Sequence, residues 1–285
     1  MRDQPLYGGM WVGTELFSGS FGQNYNQGDV NDIVSCCLEL GINKFDTAEC
    51  YGNALPVESL LGKAIAGRRQ RLIIATKFGH QIENGSCVGD FQVELVEEQL
   101  HRSLDRLKTD HIDLYYFHSG GNEEFCNDAL WSMLHRKKEA GIIGKLGLSI
   151  KHALVMEKDY VQLHRAQEYS IEVIQTVLNM YSQQSLEHVV PMCRSANMSV
   201  LGRMPLAKGL LTGKYNSDHK FDAVDQRAAT PQLNKKITEK FPEITTERAI
   251  QWCLEYVDGV VLGSKSPKQI KENFSIVNES LTEQR

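Results

Sequence analysis

The stretch VELVEEQLHRSLDRLKTDHIDLYYFH, residues 93–118, decides the fold. Apolar side chains recur in its first part at steps of three and four residues: Val93, Val96, Leu100, Leu104 and Leu107. This period is typical of an amphipathic helix, which we expect over residues 92–107. The run IDLYYFH at 112–118 then predicts a strand. A helix joined to an apolar strand is the repeating unit of α/β proteins with a parallel sheet.

The same alternation continues along the whole chain. Strand-like apolar runs cover these segments: 10–14, 43–47, 72–77, 112–118, 143–149, 173–179, 198–202 and 259–264. Helix-like segments lie between and after them: 29–40, 56–66, 92–107, 124–140, 153–167, 186–196, 245–256 and 267–277. Eight such pairs without a linker favour one (β/α)8 TIM barrel, a single α/β domain over residues 1–285, rather than a doubly wound sheet with a second domain. The irregular stretch at 213–243 is expected to form a loop or lid.

The composition argues against several classes of partner. With 31 Lys plus Arg against 36 Asp plus Glu, the formal charge is -5, so no basic field favours nucleic acid or an anionic membrane. No signal-peptide core is present, and no apolar run approaches the roughly 18 residues of a membrane helix. The seven cysteines form no CxxC pair and no zinc-ligand spacing. We therefore expect reduced thiols, no metal site, a cytoplasmic protein and a small-molecule substrate.

Titratable side chains follow three consecutive strands of the expected barrel. Asp46 ends the second strand and Tyr51 lies in its loop, Lys77 ends the third strand, and His118 ends the fourth. Taken singly, a capping Asp, a rim-packing Tyr and a solvated Lys or His are the more ordinary roles. Taken together, the four would face one mouth, because chemistry in this fold lies at the C-terminal ends of the strands.

Such a set supports a defined chemistry. A tyrosine with a pKa of about 10 donates a proton at neutral pH, but it needs a nearby cation to stabilise its phenolate. Lys77 could be that cation, Asp46 could hold it charged and oriented, and His118 could hydrogen-bond the reacting oxygen. Together they would polarise a carbonyl and protonate the alkoxide as hydride arrives. None of them can supply hydride, so a nicotinamide cofactor would be required.

From about residue 12 to residue 276, the sequence resembles the aldo-keto reductase superfamily. GINKFDTAECYGNALPVESLLGKAI is similar to the family segment with the catalytic Asp and Tyr, LIIATKFG to the segment with its Lys, and SLDRLKTDHIDLYYFH to the segment that ends on its His. PLAKGLLTGKY and VVLGSKSPKQIKENF resemble the segments that hold the cofactor. The resemblance implies a catalytic tetrad of Asp46, Tyr51, Lys77 and His118, with Tyr51 as general acid/base.

The resemblance also implies a set of cofactor-binding residues: Thr14, Ser149, Gln175, Arg203, Leu206, Gly209, Leu210, Gly263, Ser264, Lys265, Gln269 and Asn273. Ser149 and Gln175 would bind the carboxamide of the nicotinamide, and the backbone over 206–210 would run along the pyrophosphate. The residues from Gly263 onward would receive the adenosine end, where a helix N-terminus beside Lys265 suits a phosphate. An ordinary capped helix start is the alternative role of SKSPKQ.

The chain departs from the family pattern at the cofactor site. Ile150 stands where many members have an Asn. Arg203 stands where many have a Tyr that stacks on the nicotinamide, and a planar guanidinium can stack in its place, as in a bacterial branch with an R-x-P-L segment. Gln269 stands where an Arg often lies near the cofactor's phosphate, and Lys265 and Lys268 could compensate. NADPH is therefore the expected cofactor, with NAD as the alternative.

Two further departures concern the floor of the barrel and the substrate pocket. The sequence leaves no room before the first strand for the family's usual N-terminal hairpin, so we expect the floor to be plugged otherwise. The C-terminal loop that often shapes the pocket is nearly absent, which leaves 213–243 and 119–123 to wall it. Candidate wall residues near the first strand are Trp11, Glu15, Phe17 and Phe21.

We interpret the chain as an NADPH-dependent oxidoreductase that reduces an aldehyde or ketone to an alcohol. Three alternatives remain open at this point. The first is an NAD(P)-dependent dehydrogenase of a sugar or polyol, which uses the same tetrad in the other direction. The second is a cofactor-binding regulatory subunit without turnover, and the third is a structural barrel with solvated strand ends.

Overall fold

A closed parallel barrel is the centre of the molecule, as a computed structural model covering residues 7–52 and 55–283 shows. The strands are β1 Gly9–Gly13, β2 Lys44–Asp46, β3 Ile73–Phe78, β4 His80–Glu83, β5 Ser86–Gly89, β6 Ile112–His118, β7 Ile143–Ser149, β8 Ile171–Val177, β9 Ser199–Arg203 and β10 Gly259–Gly263. The barrel order is β1-β10-β9-β8-β7-β6-β3-β2, whereas β4 and β5 form a separate hairpin. The predicted (β/α)8 TIM barrel is confirmed.

Helices follow the barrel strands along the chain. They are α1 Gln27–Glu39, α2 Val57–Ala64, α3 Val93–Leu107, α4 Asn122–Phe125, α5 Asp128–Glu139, α6 His152–Met156, α7 Val161–Arg165, α8 Val189–Ser195, α9 Pro231–Lys240, α10 Thr246–Leu254 and α11 Pro267–Glu283. In helix α3, the apolar residues spaced three and four apart lie on the buried face, where Val96, Leu100 and Leu107 face the core. Within the described residues, no helix is long and apolar enough to cross a membrane.

Two expected helices are each divided by a local cap. The helix expected over 124–140 is α4 and α5, because the Asn127 side chain accepts hydrogen bonds from the backbone N–H groups of Ala129 (3.1 Å) and Leu130 (3.3 Å) and starts a new helix. The helix expected over 153–167 is α6 and α7. Lys158 interrupts it with a left-handed φ of 58°, and the Asp159 carboxylate accepts from the Val161 N–H.

Other boundaries differ by smaller amounts. The segment expected as one helix over 186–196 is a 3-10 turn, Gln184–Leu186, followed by α8. The strand expected over 173–179 is Ile171–Val177, since the Asn179 side chain accepts from the N–H groups of Tyr181 and Ser182 and turns the chain. Helix α11 continues past the expected residue 277 to Glu283.

The hairpin β4–β5 was not predicted. It follows β3 directly, and its register pairs His80 with Gly89 and Ile82 with Cys87. Asn84 and Gly85 form its tip with φ values of 49° and 77°, which is the left-handed geometry that an Asn-Gly pair adopts in tight hairpins. The dipeptide between two strand-like segments was the signal in the sequence.

Side chains fill the inside of the barrel. Along β6, Leu114 and Tyr116 point into the interior cluster, whereas Tyr115 and Phe117 pack in the main core. At the floor, Tyr7 stacks on Trp11 with ring centroids 6.3 Å apart, and the indole N–H of Trp11 donates to the backbone oxygen of Tyr7 at 2.8 Å. This aromatic pair occupies the end of the barrel where β1 begins.

The stretch at 213–243 is more ordered than a plain loop. It contains a 3-10 turn, Gln226–Ala229, and helix α9, which packs through Ile237 against Leu210 and Leu211. It also crosses to the loop after β1, because Phe21 and Asp225 form an antiparallel bridge and the Gln226 N–H donates to the Ser20 oxygen at 2.9 Å. We call residues 20–22 with 224–227 the strap.

Candidate active site

A buried lysine joins the strand-end residues that the sequence singled out. The Lys77 ammonium lies 2.6 Å from Asp46 Oδ1 and 2.6 Å from the Thr47 backbone oxygen, and it donates to the Tyr51 hydroxyl at 3.3 Å. The Lys77 side chain is 1% exposed. A charge so far from water requires this pairing. Removing one partner of a buried ion pair typically destabilises a protein by about 3–5 kcal/mol, because the other charge is left unpaired.

The Asp46 carboxylate is fixed on its second side by the neighbouring elements. Its Oδ2 accepts from the Gln175 side-chain N–H at 2.8 Å, and Ser149 Oγ lies 3.4 Å from Gln175 Oε1. The backbone oxygen of Asp46 accepts from the Thr14 N–H (2.9 Å) and the Thr14 hydroxyl (3.1 Å). Hydrogen bonds from β7, β8 and the end of β1 therefore hold the pair in one geometry.

Tyr51 and His118 lie together at the inner end of the cleft, with ring centroids 6.2 Å apart in an edge-on arrangement. Burial raises the pKa of Tyr51 well above its usual range, and the charges of Glu15 and Asp46 raise it further. Burial lowers the pKa of His118 well below its usual range, assisted by nearby Lys77. At neutral pH Tyr51 is therefore a protonated phenol and His118 a neutral imidazole.

A cleft of about 260 Å³ runs from these residues to the start of α11. Most of the predicted cofactor-binding residues line it: Ser149, Gln175, Arg203, Leu206, Gly209, Gly263, Lys265, Gln269 and Asn273. The other three take supporting positions. Thr14 binds the Asp46 backbone, Ser264 accepts from the Asn273 side chain at 2.9 Å, and Leu210 packs in the core beside Leu211.

Arg203 faces the inner end of the cleft. Its guanidinium donates to the Ile150 backbone oxygen at 3.4 Å, and its Nε is buried without a hydrogen-bond partner. Burial lowers the pKa of Arg203, whereas the nearby Tyr51 and Glu15 raise it. A flat cation with an unused buried donor at this point suits a polar aromatic ring system such as a nicotinamide.

The outer end of the cleft has the donors that suit a nucleotide phosphate. Lys265 lies just before α11 and donates from Nζ to the Phe21 backbone oxygen at 3.1 Å, while its N–H donates to Gln269 Oε1 at 2.7 Å. Gly209 has a φ of 88°, which lets the backbone turn towards the cleft without a side chain. The residues present therefore fit a dinucleotide along the cleft.

Arg227 was missed by the sequence analysis, and it forms the centre of the strap. It contacts Asp225 through Nε–Oδ1 at 2.9 Å and Nη2–Oδ2 at 2.6 Å, and it donates to the Lys208 backbone oxygen at 3.1 Å. The guanidinium carbon lies 4.0 Å from the ring centroid of Phe221. Arg227 also lines the cleft. The sequence marked this region only as irregular, and a single Arg there carries no distinctive pattern.

A second cavity of about 430 Å³ opens beside Tyr51 and His118. Cys50, Ile82 and Cys87 wall it on the hairpin side, and the loop after β1 contributes polar side chains: Glu15, Ser18 and Ser20. Of the expected wall residues, Glu15 lines both cavities and Phe21 lines the first. Trp11 is inside the barrel and Phe17 packs in the main core, so neither has that role.

The fold and the cleft together define the class. A closed parallel barrel with a Lys–Asp pair, a protonated tyrosine and a neutral histidine at one mouth corresponds to a barrel oxidoreductase of small molecules. The family model described as "Aldo/keto reductase family" matches residues 8–285, and the chain belongs to that family.

Individual relatives agree with this assignment over most of their length. An oxidoreductase of Bacillus subtilis named YqkF, itself uncharacterised, is 31% identical over 88% of this chain and 83% of its own. The aldo-keto reductase yakc of Schizosaccharomyces pombe, whose name includes NADP(+), is 28% identical over 98% of this chain and 85% of its own. The holo form of an aldo-keto reductase from Bacillus halodurans superimposes with a TM-score of 0.76 at 29% identity, covering 94% of this chain and 86% of that one.

Proposed function

We propose that the protein reduces an aldehyde or ketone to an alcohol with NADPH, and that Tyr51 is the proton donor. The observation that carries the proposal is the position of the Lys77 ammonium, which contacts the Asp46 carboxylate and the Tyr51 hydroxyl at once. A cation on the phenol stabilises the phenolate that forms when the proton leaves. When bound, the reduced nicotinamide supplies the hydride to the carbonyl carbon.

The second cavity supplies the place for the carbonyl compound. It contacts both Tyr51 and His118, so a carbonyl oxygen there can accept hydrogen bonds from the phenol and from the imidazole N–H. A neutral His118 suits this role, because it donates without adding a positive charge beside Lys77. As the carbonyl carbon is reduced, Tyr51 transfers its proton to the oxygen and Lys77 holds the resulting phenolate.

Lys265 supports NADPH over NADH. It lies at the outer end of the cleft beside the start of α11, where a ribose phosphate would meet a helix N-terminus and a cation. Lys268, the other lysine considered for this role, has an 85% exposed side chain and approaches Glu272 at 3.8 Å. We assign the phosphate contact to Lys265 rather than to Lys268.

A second candidate is the reverse reaction, NAD(P)-dependent oxidation of a sugar or polyol. The polar wall formed by Glu15 and the hydroxyls of Ser18 and Ser20 favours a hydroxylated substrate. The same Tyr51 would then accept the alcohol proton. The organised Asp46–Lys77–Tyr51 contacts argue against a regulatory subunit without turnover, since binding alone does not need them.

Tyr51→Phe tests the proposal. The variant lacks only the hydroxyl, so we expect NADPH to bind with unchanged affinity by fluorescence titration. We expect turnover of a panel of aldehydes, ketones and keto-sugars to fall by about 10²–10⁴-fold, as for other lost general acids. Wild-type turnover in Tyr51→Phe would refute the assignment. Wild-type protein that binds neither NADPH nor NADH would refute the proposed function as a whole.

A further inference from the structure

Two cysteines meet at the wall of the second cavity nearest to Tyr51. Cys50 precedes Tyr51 in the loop after β2 and is buried, whereas Cys87 is exposed on β5 of the hairpin. The two thiols are near enough for each to shift the pKa of the other, and Cys50 Sγ lies 3.8 Å from His118 Nδ1. Both cysteines line the second cavity, although Cys50 lies in a loop of the barrel and Cys87 lies in the separate hairpin.

We propose that Cys50 and Cys87 form an oxidant-modified dithiol site, in which a hydroperoxide closes a disulfide that pins the hairpin across the substrate cavity. The geometry supports this, because an exposed thiol that an oxidant can reach has a second, sheltered thiol on the wall of the same cavity. This arrangement of an attacking and a resolving cysteine is the usual form of a reversible thiol sensor.

The two thiols have different reactivities. The hydrogen bond from Cys50 lowers the pKa of Cys87 to about 7, although partial burial opposes the shift. The same hydrogen bond and burial raise the pKa of Cys50, so that Cys50 remains a thiol and donates its proton towards Cys87. Since the thiolate is the nucleophile, Cys87 reacts first.

The reaction balances with one hydroperoxide. The Cys87 thiolate attacks the nearer peroxide oxygen, the O–O bond breaks, and a sulfenic acid forms as an alcohol or water leaves after protonation. Cys50 Sγ then attacks the Cys87 sulfur, the S–O bond breaks, and the thiol proton leaves with the hydroxide as water. The two sulfurs are oxidised by two electrons in all, and the peroxide is reduced by two.

The disulfide changes the substrate side of the site and spares the cofactor side. A disulfide holds its sulfurs about 2.05 Å apart, closer than hydrogen-bonded thiols, so β5 must move towards the Cys50 loop. Cys50, Ile82 and Cys87 line the second cavity, whereas Lys265 and Gln269 line the cofactor cleft. The bond should therefore lower turnover while NADPH still binds. This inference rests on the proposed function only for the turnover readout.

The test treats the full chain with hydrogen peroxide, removes the oxidant, and measures mass, NADPH binding and carbonyl reduction. We expect a loss of about 2 Da and a peptide that joins Cys50 to Cys87, both reversed by dithiothreitol. We expect kcat/KM to fall about tenfold or more with an unchanged Kd for NADPH, because the substrate no longer reaches its position. Activity should return with the reductant.

Cys87→Ser and Cys126→Ser are a matched pair of variants, each compared with its own untreated sample. Cys126 is a partly exposed cysteine at the end of α4, away from the cavity wall. Cys126→Ser should lose activity to peroxide as the unaltered protein does, and Cys87→Ser should resist. Equal sensitivity of Cys87→Ser, or the absence of the joined peptide in oxidised unaltered protein, would overturn the proposal. The mass readout needs no turnover, so its failure is distinct from failure of the proposed function.

Discussion

The ion pairs Asp46–Lys77 and Asp225–Arg227 have the same contact distance and very different surroundings. In each pair a side-chain nitrogen lies 2.6 Å from a carboxylate oxygen, and no side chain of either pair is more than 6% exposed. The first joins two barrel strands and touches the phenol of Tyr51. The second links residues two apart in the chain and sits among aromatic rings on the strap.

The difference shows that distance and burial alone do not give the role of an ion pair. The three N–H donors of the Lys77 ammonium have three acceptors inside the protein: a carboxylate, a backbone carbonyl and a phenol. Arg227 lines the cleft together with Phe21, the strap residue that is bridged to Asp225. We therefore expect the first pair to control turnover and stability, and the second to control access and release.

Lys77→Met should have the largest effect. It leaves the Asp46 carboxylate buried without its cation, so we expect about 3–5 kcal/mol less free energy of unfolding in urea. Turnover should also fall by about 10²–10⁴-fold. The control is Asp46→Asn with Lys77→Met, which removes both charges and should regain stability without regaining turnover. Single and double variants of equal stability would contradict the role given to the pair.

Arg227→Met should have a smaller effect on stability and a clear one on the cofactor. Asp225 then loses the guanidinium but still accepts from the backbone N–H of residue 227, so we expect a cost of about 1–3 kcal/mol. The loosened strap should weaken NADPH binding about tenfold, or about 1.4 kcal/mol, mainly through faster release in stopped-flow fluorescence. Arg248→Met is the control, because Arg248 pairs with Glu255 at an exposed site. Unchanged NADPH release in Arg227→Met would show that the strap does not hold the cofactor.

The pH dependence of the unfolding free energy tests whether His118, beside the Asp46–Lys77 pair, is neutral in the folded protein. The pKa of His118 is lowered by burial, so the unfolded chain binds a proton there that the folded chain does not. Its contribution is present above about pH 6.5 and is lost as the pH falls, by about 1.4 kcal/mol per pH unit. His118→Gln should flatten the dependence of the unfolding free energy on pH between about pH 7.5 and about pH 5.5, roughly one unit either side of the unfolded pKa. The exposed His164→Gln should not, and equal slopes in both would reject the assignment.

Lys265→Ala should have the smallest effect of these substitutions, and the size of its effect on affinity should differ between NADPH and NADH. Removal of the cation beside the start of α11 should weaken NADPH by roughly 1 kcal/mol, about fivefold, and NADH much less. Fluorescence titrations with both cofactors provide the comparison, and Lys268→Ala is the exposed control. An equal loss for NADPH and NADH would mean that Lys265 does not contact the 2′-phosphate.

The barrel and the strand-end residues could be predicted because they depend on repeating patterns. Period-2 and period-3.6 apolar spacing fixes the element types, and parallel strands bring their ends to one mouth, which placed Asp46 and Lys77 together. Side-chain caps such as Asn127 divide helices without changing the apolar period, so these breaks were missed. The hairpin was missed although Asn84–Gly85 is a local turn signal, because its strands fall outside the repeating helix–strand pattern. Arg227 was missed since its contacts depend on approach in space, which one sequence does not reveal.

The hairpin β4–β5 also gives the molecule a separable unit for changing its substrate range. Its strands pair only with each other among the described residues, so the hairpin shares no register with the barrel. Residues can therefore be added in matched pairs at the Asn84–Gly85 tip, which keeps the inward and outward faces of both strands and leaves the barrel ladder untouched. Lengthening it would deepen one wall of the second cavity, while Asp46 and Lys77 stay on strands that the insertion does not touch.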